Sequence, residues 1–258
     1  MPCIASLQDL KLERSDPTIL MSASSLTLLS SLHISNFNQL TSFPVGMLEN
    51  STNLVSLYIG CLPKLISLHR ELDNLVALKS LCIVSCKELA SLLEGLKNLT
   101  SLERLEISIC ESLLSLPEEG LQGMTSLRDL SINSCGKLTS LSGLQYLTAL
   151  ETMVVTGCKE VAMLPDGMEN LRMLRMLSIH SLPNLVSLQD GLQHVTSLQE
   201  LNLGSCKSLV GLPEWIENLI SLRSLSIWLC PNIAILPAGL KRRAPLLELK
   251  IEDCLQLQ

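Results

Sequence analysis

Residues 198–221 read LQELNLGSCKSLVGLPEWIENLIS. With Leu198 as position 1, apolar residues fall at positions 1, 4, 6, 9, 12, 15, 19 and 22: Leu198, Leu201, Leu203, Cys206, Leu209, Leu212, Ile216 and Leu219. Positions 4 and 6 alternate as a strand does. Positions 12, 15, 19 and 22 step by three or four, which suits a helical turn or an irregular arc. The stretch predicts a short strand, a turn and a returning arc, with its apolar side chains turned inward. Such a unit cannot bury its apolar side alone and needs copies stacked on either side.

Those copies are present. The phrase L-x-x-L-x-I, with small variations, begins at Leu7, Leu29, Leu54, Leu78, Leu102, Leu127, Leu150, Leu174, Leu198, Leu222 and Leu246. A period of 22 to 25 residues lies within the range of leucine-rich repeats. The predicted fold is an α/β leucine-rich-repeat solenoid, a curved horseshoe of about eleven repeats. Its concave side is a parallel sheet and its convex side irregular or short-helical. At about 4.8 Å per strand the sheet runs roughly 50 Å. The chain reads as one domain, 1–258, with 1–24 a degenerate first repeat and 25–258 regular. Pro follows position 15 at Pro44, Pro117, Pro165, Pro213 and Pro237, where its fixed φ suits a turn into the arc.

Composition agrees. Of 258 residues 47% are hydrophobic but only 2% aromatic, as expected when one small Leu-rich unit is used many times. A net charge of -6 argues against nucleic acid, whose phosphates call for a basic surface. The basic cluster Lys241, Arg242 and Arg243 reads as a solvated loop. No run of about 20 apolar residues is long enough to span a membrane. Asp9, Lys11, Glu13 and Arg14 come too early for a secretion signal, so the expected compartment is the cytosol. The sequons at Asn50 and Asn98 are expected to be unused.

Seven cysteines share position 9: Cys86, Cys110, Cys135, Cys158, Cys206, Cys230 and Cys254. Disulfides, metal binding and core packing are the three readings. Phe37, Leu62 and Leu182 hold the same position in other repeats. A filler of the interior can be replaced by Leu, whereas a metal ligand cannot. Reduced cysteine behaves as a small hydrophobe with a weak donor, and its S–H is expected to reach a carbonyl where the strand turns. Cys82, at position 5, is expected outside and first to react with a thiol reagent. The sequence holds no phosphate loop, no G-x-G-x-x-G and no H-E-x-x-H. His33 and His180 fall on the strand face, His69 and His194 on the arc, all read as surface residues. No enzyme activity, metal or cofactor is expected.

Binding is therefore expected on the concave strands, at positions 3, 5, 7 and 8. Most residues there are serine. The candidates that stand out are Tyr58, a charged island of Arg104, Glu106 and Asp129, a less polar strip of Val154, Met176 and His180, and Trp228. Trp and Tyr are enriched at binding hot spots. The other reading of Trp228 is that it folds over a neighbouring strand. Trp215 reads as packing on the arc.

The phrases LEISICESLLSLPEEGLQGMTSLRDLSINSC (105–135) and LNLGSCKSLVGLPEWIENLISLRSLSIWLCPNIAILPAGL (201–240) resemble the C-terminal repeats of plant nucleotide-binding leucine-rich-repeat disease-resistance proteins. The unit I-x-x-C-x-x-L-x-x-L-P is most similar to their coiled-coil class. The L-x-G-x-I-P phrase of secreted plant repeats is absent. The resemblance, over residues 25 to 258, implies an innate-immune recognition region whose ligand is a pathogen effector, a guarded host protein or a nucleotide-binding domain. It also implies a partial receptor, since any nucleotide switch must lie outside these residues. A scaffold or adaptor with no immune role is the alternative.

Overall fold

Positions 3 to 7 of each repeat become a five-residue strand: β1 (Asp9–Glu13), β2 (Ser31–Ser35), β3 (Ser56–Gly60), β4 (Ser80–Val84), β5 (Arg104–Ser108), β6 (Asp129–Asn133), β7 (Thr152–Thr156), β8 (Met176–His180), β9 (Glu200–Gly204), β10 (Ser224–Trp228) and β11 (Glu248–Glu252). The computed structural model describes residues 6–68, 71–92, 94–242 and 246–257. The eleven strands form one parallel sheet in chain order. Every residue pairs with the same position of the next repeat, as Leu105, Leu130 and Met153 do. A slip by one residue would turn positions 4 and 6 out to solvent, so the buried face holds the register.

Among the described residues the arcs carry short 3-10 turns, such as Asp190–His194 and Glu214–Asn218, and one four-residue helix, α1 (Glu118–Leu121). Pro117 and Pro213 stand immediately before α1 and the Glu214–Asn218 turn. Between sheet and arcs one apolar cluster runs from Leu12 to Leu240. Trp215 packs against it as expected, its indole N–H donating to Asp190 at 2.9 Å. Polar side chains tie the repeats together from outside. Lys79 pairs with Glu103 at 2.9 Å and Arg128 with Glu151 at 2.7 Å, all at position 2. Asn184 and Asn232 donate to the carbonyls of Lys159 and Lys207 one repeat back. Asn50 of the first sequon donates to the carbonyl of Ser24.

The cysteine ladder is interior. Cys86, Cys110, Cys135, Cys158, Cys206 and Cys230 are buried free thiols, and Cys254 at the last repeat is half-buried. Each sulfur donates to the carbonyl two residues earlier, from 3.4 Å for Cys206 and Cys230 to 3.7 Å for Cys86 and Cys135. Burial pushes the Cys86 thiol up to about 12 and Cys110 to about 11. The expected reactivity of Cys82 is corrected. It is half-buried, and burial followed by Glu106 pushes its thiol up to about 12. Among the described residues Cys61 at position 8 is the exposed thiol, and of these a reagent meets it first.

The strands stop at position 7, and position 8 does not project from the sheet as a strand residue. It turns left-handed in every repeat: Arg14, Asn36, Cys61, Ser85, Ile109, Ser134, Gly157, Ser181, Ser205, Leu229 and Asp253 have φ between 48° and 68°. From Arg14 to Leu229 the rotation aims the N–H at the position-7 carbonyl of the next repeat, as in Ile109 to Asn133 at 2.8 Å. A β-branched side chain fits this region worst and asparagine tolerates it. Ile109 is 39% exposed, so the burial it would lose is only partial and is set against the relief of backbone strain. Ile109→Asn is expected to raise stability by about 1 kcal/mol. Urea unfolding checks it: the midpoint should rise with the slope unchanged. A lower midpoint would show that Ile109 packing outweighs the relief.

Candidate protein-recognition face

Positions 3, 5 and 7 point to the solvent side of the sheet, because 4 and 6 are spent on the core. Arg104 and Asp129 are direct neighbours across β5 and β6. Glu106 accepts from Ser108 at 3.0 Å and from the Cys82 thiol at 3.5 Å. Asn133 ties Ser108 to Ser131 at 3.2 and 3.0 Å. Among the described residues neither Arg104 nor Asp129 is in an ion pair. Arg104, Glu106, Asp129 and Val154 line one shallow recess of about 350 Å³ with Ser80, Cys82, Ser131 and Thr152. The expected island and part of the expected apolar strip thus line the same recess. Met176 lies beside it, paired with Thr152 across β7 and β8.

Two aromatic platforms stand on either side of the recess. Toward β1, the Tyr58 ring stacks on His33 with centroids 4.2 Å apart and planes 6° from parallel. It also lies over Gly60, where a Cβ would collide with it. His33 Nε2 reaches Ser35 Oγ at 3.0 Å and Glu13 at 3.4 Å. The hydrogen bond from Ser35, then Lys11, holds the Glu13 carboxyl below its ordinary value. Toward β11, the Trp228 indole lies across Gly204 of the neighbouring strand, where again a Cβ would collide. It meets His180 edge-on, centroids 4.7 Å apart at 69°. His180 Nε2 is buried without a hydrogen-bond partner, and burial lowers that imidazole's pKa. Trp228 therefore folds over the neighbouring strand while one side stays open, lining a recess of about 260 Å³ with Asn202, Ser226, Lys250 and Glu252. A larger recess of about 520 Å³, beside Arg14, Pro17, Asn36 and Gln39, sits at the strand ends and holds none of the candidates.

No protein-family pattern matches the chain, and no curated protein matches it in sequence. Solved structures do match in shape. An internalin (InlF) from Listeria monocytogenes is 21% identical with a TM-score of 0.51, over 98% of this chain and 80% of that one. The leucine-rich-repeat domain of the type III effector XopL is 20% identical with a TM-score of 0.64, over the same shares. A chain from the Drosophila Toll–Spätzle complex is 21% identical with a TM-score of 0.65, over 88% of this chain and 33% of that one. The fold is a leucine-rich-repeat solenoid.

On this leucine-rich-repeat sheet the candidates fall into three groups. Arg104, Glu106, Asp129 and Val154, with Met176 adjoining, are central. Tyr58 is apart on β3, and His180 with Trp228 on the β8–β10 side. His33 went unnoticed in the sequence as part of the Tyr58 platform, and so did Gly60 and Gly204. The signal was present: glycine at position 7 within reach of an aromatic residue, visible once repeats are aligned in register. His69 and Arg243 lie outside the described residues, as do the side chains of Lys241 and Arg242. Among the described residues no helix is long and apolar enough to cross a membrane, and no group of three His, Cys, Asp or Glu side chains is placed to hold a metal ion.

Proposed function

We propose that this chain is the ligand-recognition region of a plant intracellular immune receptor and binds a protein with the solvent face of β3 to β10. The ligand is a pathogen effector, a guarded host protein or the receptor's own nucleotide-binding domain. The observation that carries a binding role is the pair of aromatic platforms. Tyr58 and Trp228 are half-exposed, yet each is held close against a glycine. An anchor so held loses little side-chain entropy when a partner covers it, and such rings are enriched among the few residues that dominate binding energy at protein interfaces. Toll, seen in complex with Spätzle, supports a protein ligand for a face of this fold. The immune assignment rests on the I-x-x-C-x-x-L-x-x-L-P units.

In this reading the chain is a binding module, cytoplasmic, without catalysis or cofactor. The gene provides the test. An in-frame nucleotide-binding region encoded upstream of these repeats is the expected result. An unrelated adaptor domain in that place would overturn the immune assignment in favour of a scaffold.

A further inference from the structure

Between the sheet face and the arcs runs a flank that the sheet-face reading does not use. Position 13 of successive repeats forms its own short ladder there. The amide of Ile66 donates to the Thr41 carbonyl at 3.0 Å, Ala90 to Ile66 at 3.2 Å, Thr139 to Leu114 at 3.0 Å and Val210 to Val186 at 3.3 Å. Ser67 with Ser91 and Ser115 with Ser140, at position 14, pair as isolated parallel bridges. Neighbouring side chains of this row therefore stand side by side, and they are exposed: Ile66 52%, Leu114 54%, Val186 51% and Val210 61%, with Met163 63% at position 14. From Thr41 to Ile235 no charged residue occupies position 13 or 14. Positions 10 and 11, on the same flank, hold Lys64, Lys87, Glu88, Glu111, Lys137, Lys159, Glu160 and Lys207. A ladder favours β-branched residues, which accounts for Ile66 and Val186 but not for Leu114 or Met163. Exposed apolar side chains gathered along one row in this way, here interrupted by Thr139 and flanked by serines, mark an interaction site.

What covers the row is indicated by its far border. The arcs of the repeats that begin at Leu102 to Leu198 carry Glu118, Glu119, Asp166, Glu169, Asp190, Glu214 and Glu217 against one base, Arg172. All seven acids are exposed, and among the described residues none is in an ion pair. Spacing gives the shape of the occupant. Repeats advance about 4.8 Å along the ladder, and an α-helix advances about 5.4 Å per turn. A helix laid along the row from Leu114 to Val210 thus offers about one apolar residue to each repeat.

We infer that this flank seats an amphipathic helix of a partner protein, its apolar stripe on the Leu114–Val210 row and its Lys or Arg residues over the acidic arcs. This is the helix-in-groove mode of recognition, read by anchors at i, i+3, i+4 and i+7. The site is separate from the sheet face and does not depend on the immune reading.

The probe is a synthetic peptide of about five helical turns, with Leu at those anchor positions and Lys along one border. Its control is a scrambled peptide of the same composition. Both are titrated into the full chain by fluorescence anisotropy at about 0.15 M salt. The patterned peptide is expected to bind at least about tenfold tighter than the scrambled one. The variant Leu114→Ser/Val186→Ser/Val210→Ser should lose about tenfold in affinity while keeping native melting. Glu118→Gln/Asp166→Asn/Glu214→Gln should weaken binding and flatten its salt dependence, and Trp228→Ala should leave it unchanged. Equal binding of the two peptides, or undiminished binding by the serine variant, overturns the proposal. So does sedimentation equilibrium showing that the chain associates with itself through this row, since the occupant is then a second copy.

Discussion

Cys135→Asp is expected to remove about 3–5 kcal/mol of stability at neutral pH, the range for a buried charge left without a partner. Cys135 is 0% exposed, and its sulfur faces the carbonyls of Asn133 at 3.7 Å and Ile107 at 3.9 Å. A thiol donates weakly to both. A carboxylate donates nothing, so two acceptors would face a negative charge in an apolar interior. Domains of ordinary stability have only about 5–15 kcal/mol in total. The sign of the pH dependence follows. Burial raises the aspartic acid's pKa in the folded state above its unfolded value of about 3.9. The deficit is therefore full above the folded pKa, shrinks as pH falls through it, and is smallest below about 4. Cys135→Ala, which removes only the sulfur, is the control. Melting followed by circular dichroism from neutral pH to about pH 4 decides the matter. A deficit that is the same for both variants and flat with pH would mean that Cys135 is reachable by water.

Trp228→Ala is expected to weaken a protein partner of the sheet face by about 1–2 kcal/mol, roughly fivefold to thirtyfold, with the fold intact. The indole packs on Gly204 and His180 from the solvent side of the sheet, so its loss opens no core cavity. Gly204→Ala is the companion. An added Cβ collides with the indole and must lift it from its bed. This variant should change tryptophan fluorescence and also weaken binding, although the ring is still present. The readout that a purely structural role would not move is the contrast between affinity and melting temperature. If both variants bound as well as the parent while Arg104 and Met176 variants lost affinity, the β8–β10 platform would lie outside the footprint. If all four bound normally, the sheet face would not be the binding surface.

The extent to which the sequence reveals this protein follows from where the free energy is local. A Leu at position 1, the alternation of positions 4 and 6 and the recurring Cys206-type residue each state a burial requirement. Eleven repetitions leave one way to meet them all. Strand positions, parallel order, the reduced ladder and the 3-10 arcs follow from that requirement, because in a solenoid every contact is with the repeat before or after.

What the sequence alone did not show lies in contacts across repeats on the outside, where no burial rule selects a rotamer. Whether Trp228 stands out or lies down depends on Gly204 being in register beside it, and the stacking of Tyr58 on His33 on β2 and β3 meeting at position 5. Cys82 is spaced like an exposed thiol, but burial, and then Glu106 one strand over, pushes its pKa up, leaving Cys61 as the exposed thiol among the described residues. The left-handed turn at position 8 carries no composition signal, since Arg14, Ile109, Leu229 and Gly157 all adopt it. From Arg14 to Leu229 its N–H meets the carbonyl of the following repeat, a hydrogen bond that exists only once the stack has formed.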